Sequence, residues 1–132
     1  KTSVEYTKPI AKRAAVNIPA TVKLSGKTFN VTKISANAFR NNTVMKSLTI
    51  GSNVTTIGAN AFYGCKNLKN ITIKTTKLTK KRVGSKAFSG IHAKAVIKVP
   101  KKKLSAYRKM LKARGAAKKE NVQAIKVKPE KA

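Results

Sequence analysis

The chain has 132 residues, 41% of them apolar, and carries 31 lysines and arginines against three glutamates, a formal net charge of +28. That length is enough for about one domain with its own core, and the apolar share excludes wholesale disorder. A single cysteine excludes an internal disulfide framework, no apolar run nears the length of a membrane-spanning helix, and three acids with no aspartate leave most cations solvated or bound to an anionic partner.

Residue 1 is Lys and no export signal is visible, so the sequence is read as a segment of a longer chain. Val4, Glu5 and Tyr6, then Val16, Asn17 and Ile18, alternate and predict two short strands, with Pro19 ending the second. Residues 20–33, ATVKLSGKTFNVTK, predict a hairpin turning at Ser25, Gly26 and Lys27.

From residue 34 the chain repeats. ISANAFRNN (34–42), IGANAFYGC (57–65) and VGSKAFSGI (83–91) align on Phe39, Phe62 and Phe88, with spacings of 23 and 26. Each phrase is followed by a short apolar run: Met45, Leu48 and Ile50, then Leu68, Ile71 and Ile73, then Ile97 and Val99. The extra residues of the third unit fall between Leu78 and Val83, where a surface loop tolerates insertion. Runs such as LTI and ITI are too short to stand alone. Stacked in register they make a narrow parallel sheet, with Leu48, Ile50, Ile71 and Ile73 inward and Thr49 and Thr72 outward. The Ala-Phe pair closes the opposite wall, and Phe39, Phe62 and Phe88 form a core spine. Such a repeat cannot bury its face alone, so neighbours stack and the ends need covering.

After Pro100, residues Leu104, Tyr107, Met110 and Leu111 make one apolar helical stripe, stopped at Gly115. Val122, Ile125 and Val127 predict a last short strand, and residues 128–132 read as frayed. The expected division is an N-terminal β cap (1–33), about three repeats of 23–26 residues (34–100), and a C-terminal amphipathic helix, short strand and tail (101–132).

The pattern carried by Ile57, Gly58, Ala61, Phe62, Cys65, Leu68, Ile71 and Ile73 resembles the BspA-type (Treponema pallidum type) leucine-rich repeat. Unit one departs from it at Ser35 and Asn42, and unit three at Ile91 and Lys94. The resemblance covers about residues 16–114. It implies a leucine-rich repeat solenoid of short stacked parallel strands between the two caps. It also implies a bacterial protein, secreted or surface-attached, with a role in adhesion to host protein or glycan. Cys65 falls at the Asn/Cys position of the repeat, where the resemblance implies a buried small polar side chain bonded to loop backbone.

Catalysis finds little material. His92 has no acid nearby, Glu5 and Glu120 and Glu130 are spread through the terminal segments, and Cys65 with His92 supplies too few ligands for a metal. No enzyme, cofactor or metal site is expected. The glycines do not compose a phosphate loop. Tyr63 sits at the variable outward place held by Arg40 and Ser89, so Arg40, Tyr63, Thr49 and Thr72 are the candidate partner contacts.

Cations are the unusual chemistry. Residues 34–73 hold 4 and residues 74–114 hold 15. Lys80, Lys81, Arg82, Lys98, Lys101, Lys102, Lys103, Arg108, Lys109 and Lys112 are the candidate polyanion contacts, gathered at the C-terminal end of the stack. Two readings follow: a surface interaction module for a protein or glycan, or a charge-driven tether to anionic cell-wall polymer. Nucleic-acid binding ranks below both, because no recognition helix, zinc finger or aromatic RNA platform is present. The chain is expected to be a monomer.

Overall fold

A four-residue strand has too little buried surface to persist alone in water. The computed structural model, which describes residues 3–7, 13–116 and 121–125, satisfies each short strand by pairing it with the next turn of the chain. In order the elements are β1 (Ser3–Tyr6), β2 (Ala15–Ile18), β3 (Thr21–Leu24), β4 (Lys27–Ile34), β5 (Ser47–Ile50), β6 (Thr56–Ile57), β7 (Asn70–Ile73), β8 (Val96–Val99), α1 (Leu104–Ala113) and β9 (Val122–Ala124).

One sheet has the order β2-β5-β7-β8-β9 and is parallel throughout. Its register is unbroken: Leu48 pairs with Ile71 and Ile71 with Ile97, while Thr49 pairs with Thr72 and Thr72 with Lys98. Alternation then does the sorting. Leu48, Ile50, Ile71, Ile73, Ile97 and Val99 are buried, while Thr49 and Thr72 are half-buried on the other face. At the last strand, Val122 is buried beside Ile97. Ile125 follows β9 and donates its N–H to the Val99 carbonyl, 2.8 Å. Val127 and residues 128–132 lie outside the described residues.

A second sheet is absent from the sequence reading. β1, β4 and β6 pair in parallel, and Ile57 bridges on to Val83. Tyr6, Ile34, Ile57 and Val83 therefore line up, one per turn. The hairpin from β3 to β4 belongs to this sheet. Its turn is Ser25 and Gly26 alone, with φ of 51° and 78°, the two-residue geometry that matches strand twist. Lys27 is already in β4, paired with Leu24.

The Ala-Phe phrases form the third wall. Here too backbone bonds run from turn to turn: Phe39 N–H to the Ala61 carbonyl at 2.7 Å, Phe62 to Ala87 at 2.8 Å, and Phe88 to Arg114 at 2.9 Å. Each phrase turns through two left-handed residues. Asn37, Asn60 and Lys86 take the first place with φ of 62°, 58° and 57°, and Asn41, Gly64 and Gly90 take the second with φ of 59°, 75° and 78°. Asn and Gly tolerate that conformation best, which explains most of the phrase's polar letters. Inside, the rings of Tyr6, Phe39, Phe62 and Phe88 stack with 5.3 Å between successive centroids. The Phe spine thus has a fourth ring, Tyr6, supplied from outside the repeats.

The interior place after each phrase is filled in three ways. Asn42 accepts backbone N–H bonds from Val44 and Met45, at 3.1 and 3.2 Å. Cys65 instead donates its thiol across to the Phe39 carbonyl of the preceding turn, at 3.0 Å. Ile91 fills the space without a polar bond. Asn42 therefore braces its own loop, while Cys65 ties two turns.

α1 lies over the last turn with Tyr107, Met110 and Leu111 buried. Gly115, at φ 100°, ends it.

Candidate functional site

Two surfaces gather the residues with chemistry to offer. The first is the outer face of the five-stranded sheet. Parallel register places Asn17, Thr49, Thr72, Lys98 and Gln123 in one row, a single outward side chain from each strand. Asn17, Lys98 and Gln123 are exposed, Asn17 and Gln123 at the row's ends. Asn17 and Gln123 were not among the sequence candidates, because β2 and β9 lie outside the three phrase recurrences; the alternation in VNI and VQA was the available signal. Lys98 stands in this row and not with the other cations.

Arg40 and Tyr63 occupy the third wall. They meet there: the Arg40 guanidinium lies over the Tyr63 ring, 5.2 Å from its centroid, and the ring is half-buried. Arg40 also reaches Asn37 Oδ1 at 3.5 Å. Tyr63 is therefore one half of a cation–π pair, so a partner stacking on it would have to move Arg40.

The second surface is the basic end. The insertion forms a short 3-10 turn, Lys80–Arg82, exposed throughout. A second 3-10 turn, Lys101–Lys103, leads into α1. Between them runs a groove of about 710 Å³ lined by Lys80, Lys102, Lys103 and Lys109, with Leu78, Ala106 and Met110 among its apolar lining. On the other side of α1 a smaller groove of about 500 Å³ carries Lys101, Arg108 and Lys112, and shares Lys102, Ser105 and Lys109 with the first. Lys81 and Arg82 are exposed but do not line either groove.

The arginines here are differently employed. Arg108 Nε donates to the Val122 carbonyl at 3.0 Å, tying α1 to β9. Arg114 donates to the carbonyls of Val83 at 2.6 Å and Lys80 at 2.8 Å. Tyr107 Oη donates to the Thr75 carbonyl at 2.8 Å and accepts from Leu78 N–H at 3.2 Å. The insertion is thus held on both flanks, by Tyr107 before it and Arg114 after it.

Catalytic chemistry has little to work with among the described residues. His92 Nδ1 accepts from the Lys94 backbone at 3.0 Å within its own turn. Glu5 is paired with Lys33 at 4.0 Å and accepts from Ser35 on the first turn. No three His, Cys, Asp or Glu side chains come together to hold a metal among the described residues. No helix of the described residues is long and apolar enough to cross a membrane.

Burial pushes the Cys65 thiol up to about 11, with the Asn42 backbone opposing only in part. The unfolded chain ionises near 8.5, so the native state keeps a proton that the unfolded state has lost. Stability drawn from this group is therefore whole below about pH 8.5 and lost as pH rises toward 11. A disulfide reagent at pH 8 should leave the native thiol unlabelled and modify it fully in urea. Prompt labelling of the folded protein would show that Cys65 is not shielded.

A family model described as the BspA type leucine rich repeat region matches residues 16–114 in six copies, more than the three phrases that recur visibly. No curated protein sequence matches the chain. Among solved structures it is similar to a leucine rich cell surface protein from Faecalibacterium prausnitzii A2-165, with 32% identity and a TM-score of 0.64 over 73% of this chain and 26% of that one. It is also similar to a leucine-rich repeat protein from Bacteroides ovatus ATCC 8483, with 21% identity and a TM-score of 0.46 over 67% of this chain and 30% of that one. The chain spans about a quarter of the length of the first and under a third of the second. With its Ala-Phe phrases stacked between short parallel strands and the family pattern running through residues 16–114, the chain belongs to the BspA-type leucine-rich repeat family.

Proposed function

We propose that this chain is a non-catalytic interaction module at a bacterial cell surface, presenting the outer face of its parallel sheet to a protein or glycan. The observation that carries the reading is the row Asn17, Thr49, Thr72, Lys98 and Gln123. The inner face is taken up by the core, so the sheet's freedom to vary lies on this side. Hydroxyl, amide and ammonium groups in an even row offer hydrogen bonds without a reactive constellation. The cell-surface description of the Faecalibacterium protein, at 32% identity, supports the location. In the same reading the stack is a solenoid, closed by the β1 to β4 region at one end and by α1 and β9 at the other, and acts as a monomer.

Beads coated with the protein should be retained on a panel of extracellular-matrix proteins and mucin glycans at about 0.5 M salt, where charge attraction is screened. The double change Thr49→Glu and Thr72→Glu should remove that retention while the fold persists. Retention that survives the double change would overturn the sheet-face reading. A second reading, a charge-driven tether to anionic wall polymer, is favoured by one observation: lysines from two separate segments share the groove beside α1.

A further inference from the structure

We propose that the groove between residues 78–80 and α1 is a binding site for a linear phosphodiester polymer with an aliphatic backbone, of the poly(glycerol phosphate) kind. The proposal deepens the tethering reading and rests on it.

Four ammonium groups line this groove, from Lys80 on the insertion and from Lys102, Lys103 and Lys109 on the α1 side. The two segments are more than twenty residues apart in sequence and are brought together by the fold. Among the described residues the one acid is Glu5, engaged with Lys33 and Ser35 on the first turn of the stack. The walls are set before any ligand arrives. Tyr107 holds the backbone at Thr75 and Leu78, and Arg114 holds it at Lys80 and Val83. Binding there would cost less ordering than binding to cations on a loose loop.

The chemistry of the lining narrows the ligand. No guanidinium of the described residues lines this groove: Arg114 is bonded to the Lys80 and Val83 carbonyls, and Arg108 faces the adjoining groove with its Nε on the Val122 carbonyl, so the groove offers compact ammonium charges and no planar fork. Ammonium groups suit a chain of single negative charges better than they suit a bidentate anion. Leu78, Ala106 and Met110 give the lining an apolar part that methylene groups can cover. The one aromatic at the groove, Tyr107, is buried with its hydroxyl bonded on both sides, leaving no open ring on which a base or a sugar face could stack. The adjoining groove shares Lys102, Ser105 and Lys109 and continues the cationic track over α1 through Lys101, Arg108 and Lys112, which fits an extended chain better than a small ion.

Two variants separate this site from generic charge. One changes Lys80, Lys102, Lys103 and Lys109 to Gln. The control changes Lys23, Lys27, Lys46 and Lys66 to Gln, all exposed and on other parts of the stack. Each loses four charges. Affinity for poly(glycerol phosphate) is measured against salt, with circular dichroism and melting to check both folds. The groove variant should bind about 10-fold or more weakly near 0.1 M salt, with the log–log salt slope shallower by about 2 to 3, and the control should stay within about 2-fold of the parent. Equal losses in the two variants would overturn the groove and leave the tethering reading standing. Failure of the parent protein to bind the polymer at all would sink both. Heparin of equal charge, bound as tightly as the polyol chain and weakened by the same four changes, would overturn the phosphodiester assignment, and an oligothymidylate behaving in that way would overturn the aliphatic backbone.

Discussion

Phe62→Ala is expected to cost about 3–5 kcal/mol of folding stability. Phe62 is fully buried, and its ring lies between those of Phe39 and Phe88 with 5.3 Å to each. Truncation removes the burial of one ring and opens a void that both neighbours face. Neither can close it, because their backbones are bonded turn to turn, Phe39 N–H to the Ala61 carbonyl and Phe88 N–H to the Arg114 carbonyl. A domain of this size has about 5–15 kcal/mol to lose, so the variant should sit near the edge of folding. Urea unfolding at fixed salt is the suitable measurement. Guanidinium would also screen the self-repulsion of a chain at +28 and so confound the comparison. A loss below about 1 kcal/mol would show that the stacked rings do not hold the turns together.

Gly58→Ala should cost about 3 kcal/mol, the upper end of what overpacking usually exacts. The cause is a close approach and not an unusual backbone angle. A methyl group at Gly58 would overlap the backbone of Ala36 one turn away, and one at Gly84 would overlap Ala59 in the same manner. The obstruction is main chain on a bonded wall, so no side chain can swing aside. The first turn shows the exception: Ser35 takes this register, and its hydroxyl donates to Glu5 on β1. Ser35→Gly should therefore be far milder than Gly58→Ala, as urea midpoints would show. Similar midpoints for the Gly58 variant and the parent would mean the turns can separate without penalty.

Period-two alternation made the long sheet legible. In SLTI and NITI every second residue is a branched apolar one, and the structure buries those and no others. The second sheet was not legible, because β6 is only Thr56 and Ile57 and two residues carry no period. Tyr6 was missed as a fourth ring because it lies in no Ala-Phe phrase and stands 33 positions before Phe39, not 23. At the basic end, the insertion's position in the third unit foretold that Lys80 would lie near the helix lysines. Which cations turn inward could not be read. Arg114 reaches carbonyls 31 and 34 residues back, and such bonds leave no local pattern.

The three walls share one geometry: their backbone bonds point along the stack, from each turn to the next. A pull along that axis would put the same tension on every turn, and the end strands β2 and β9, bonded on one side only, would give way first. The molecule would then yield as a zip does, one turn at a time, each released turn paying out its own length of slack while the remaining turns keep their shape.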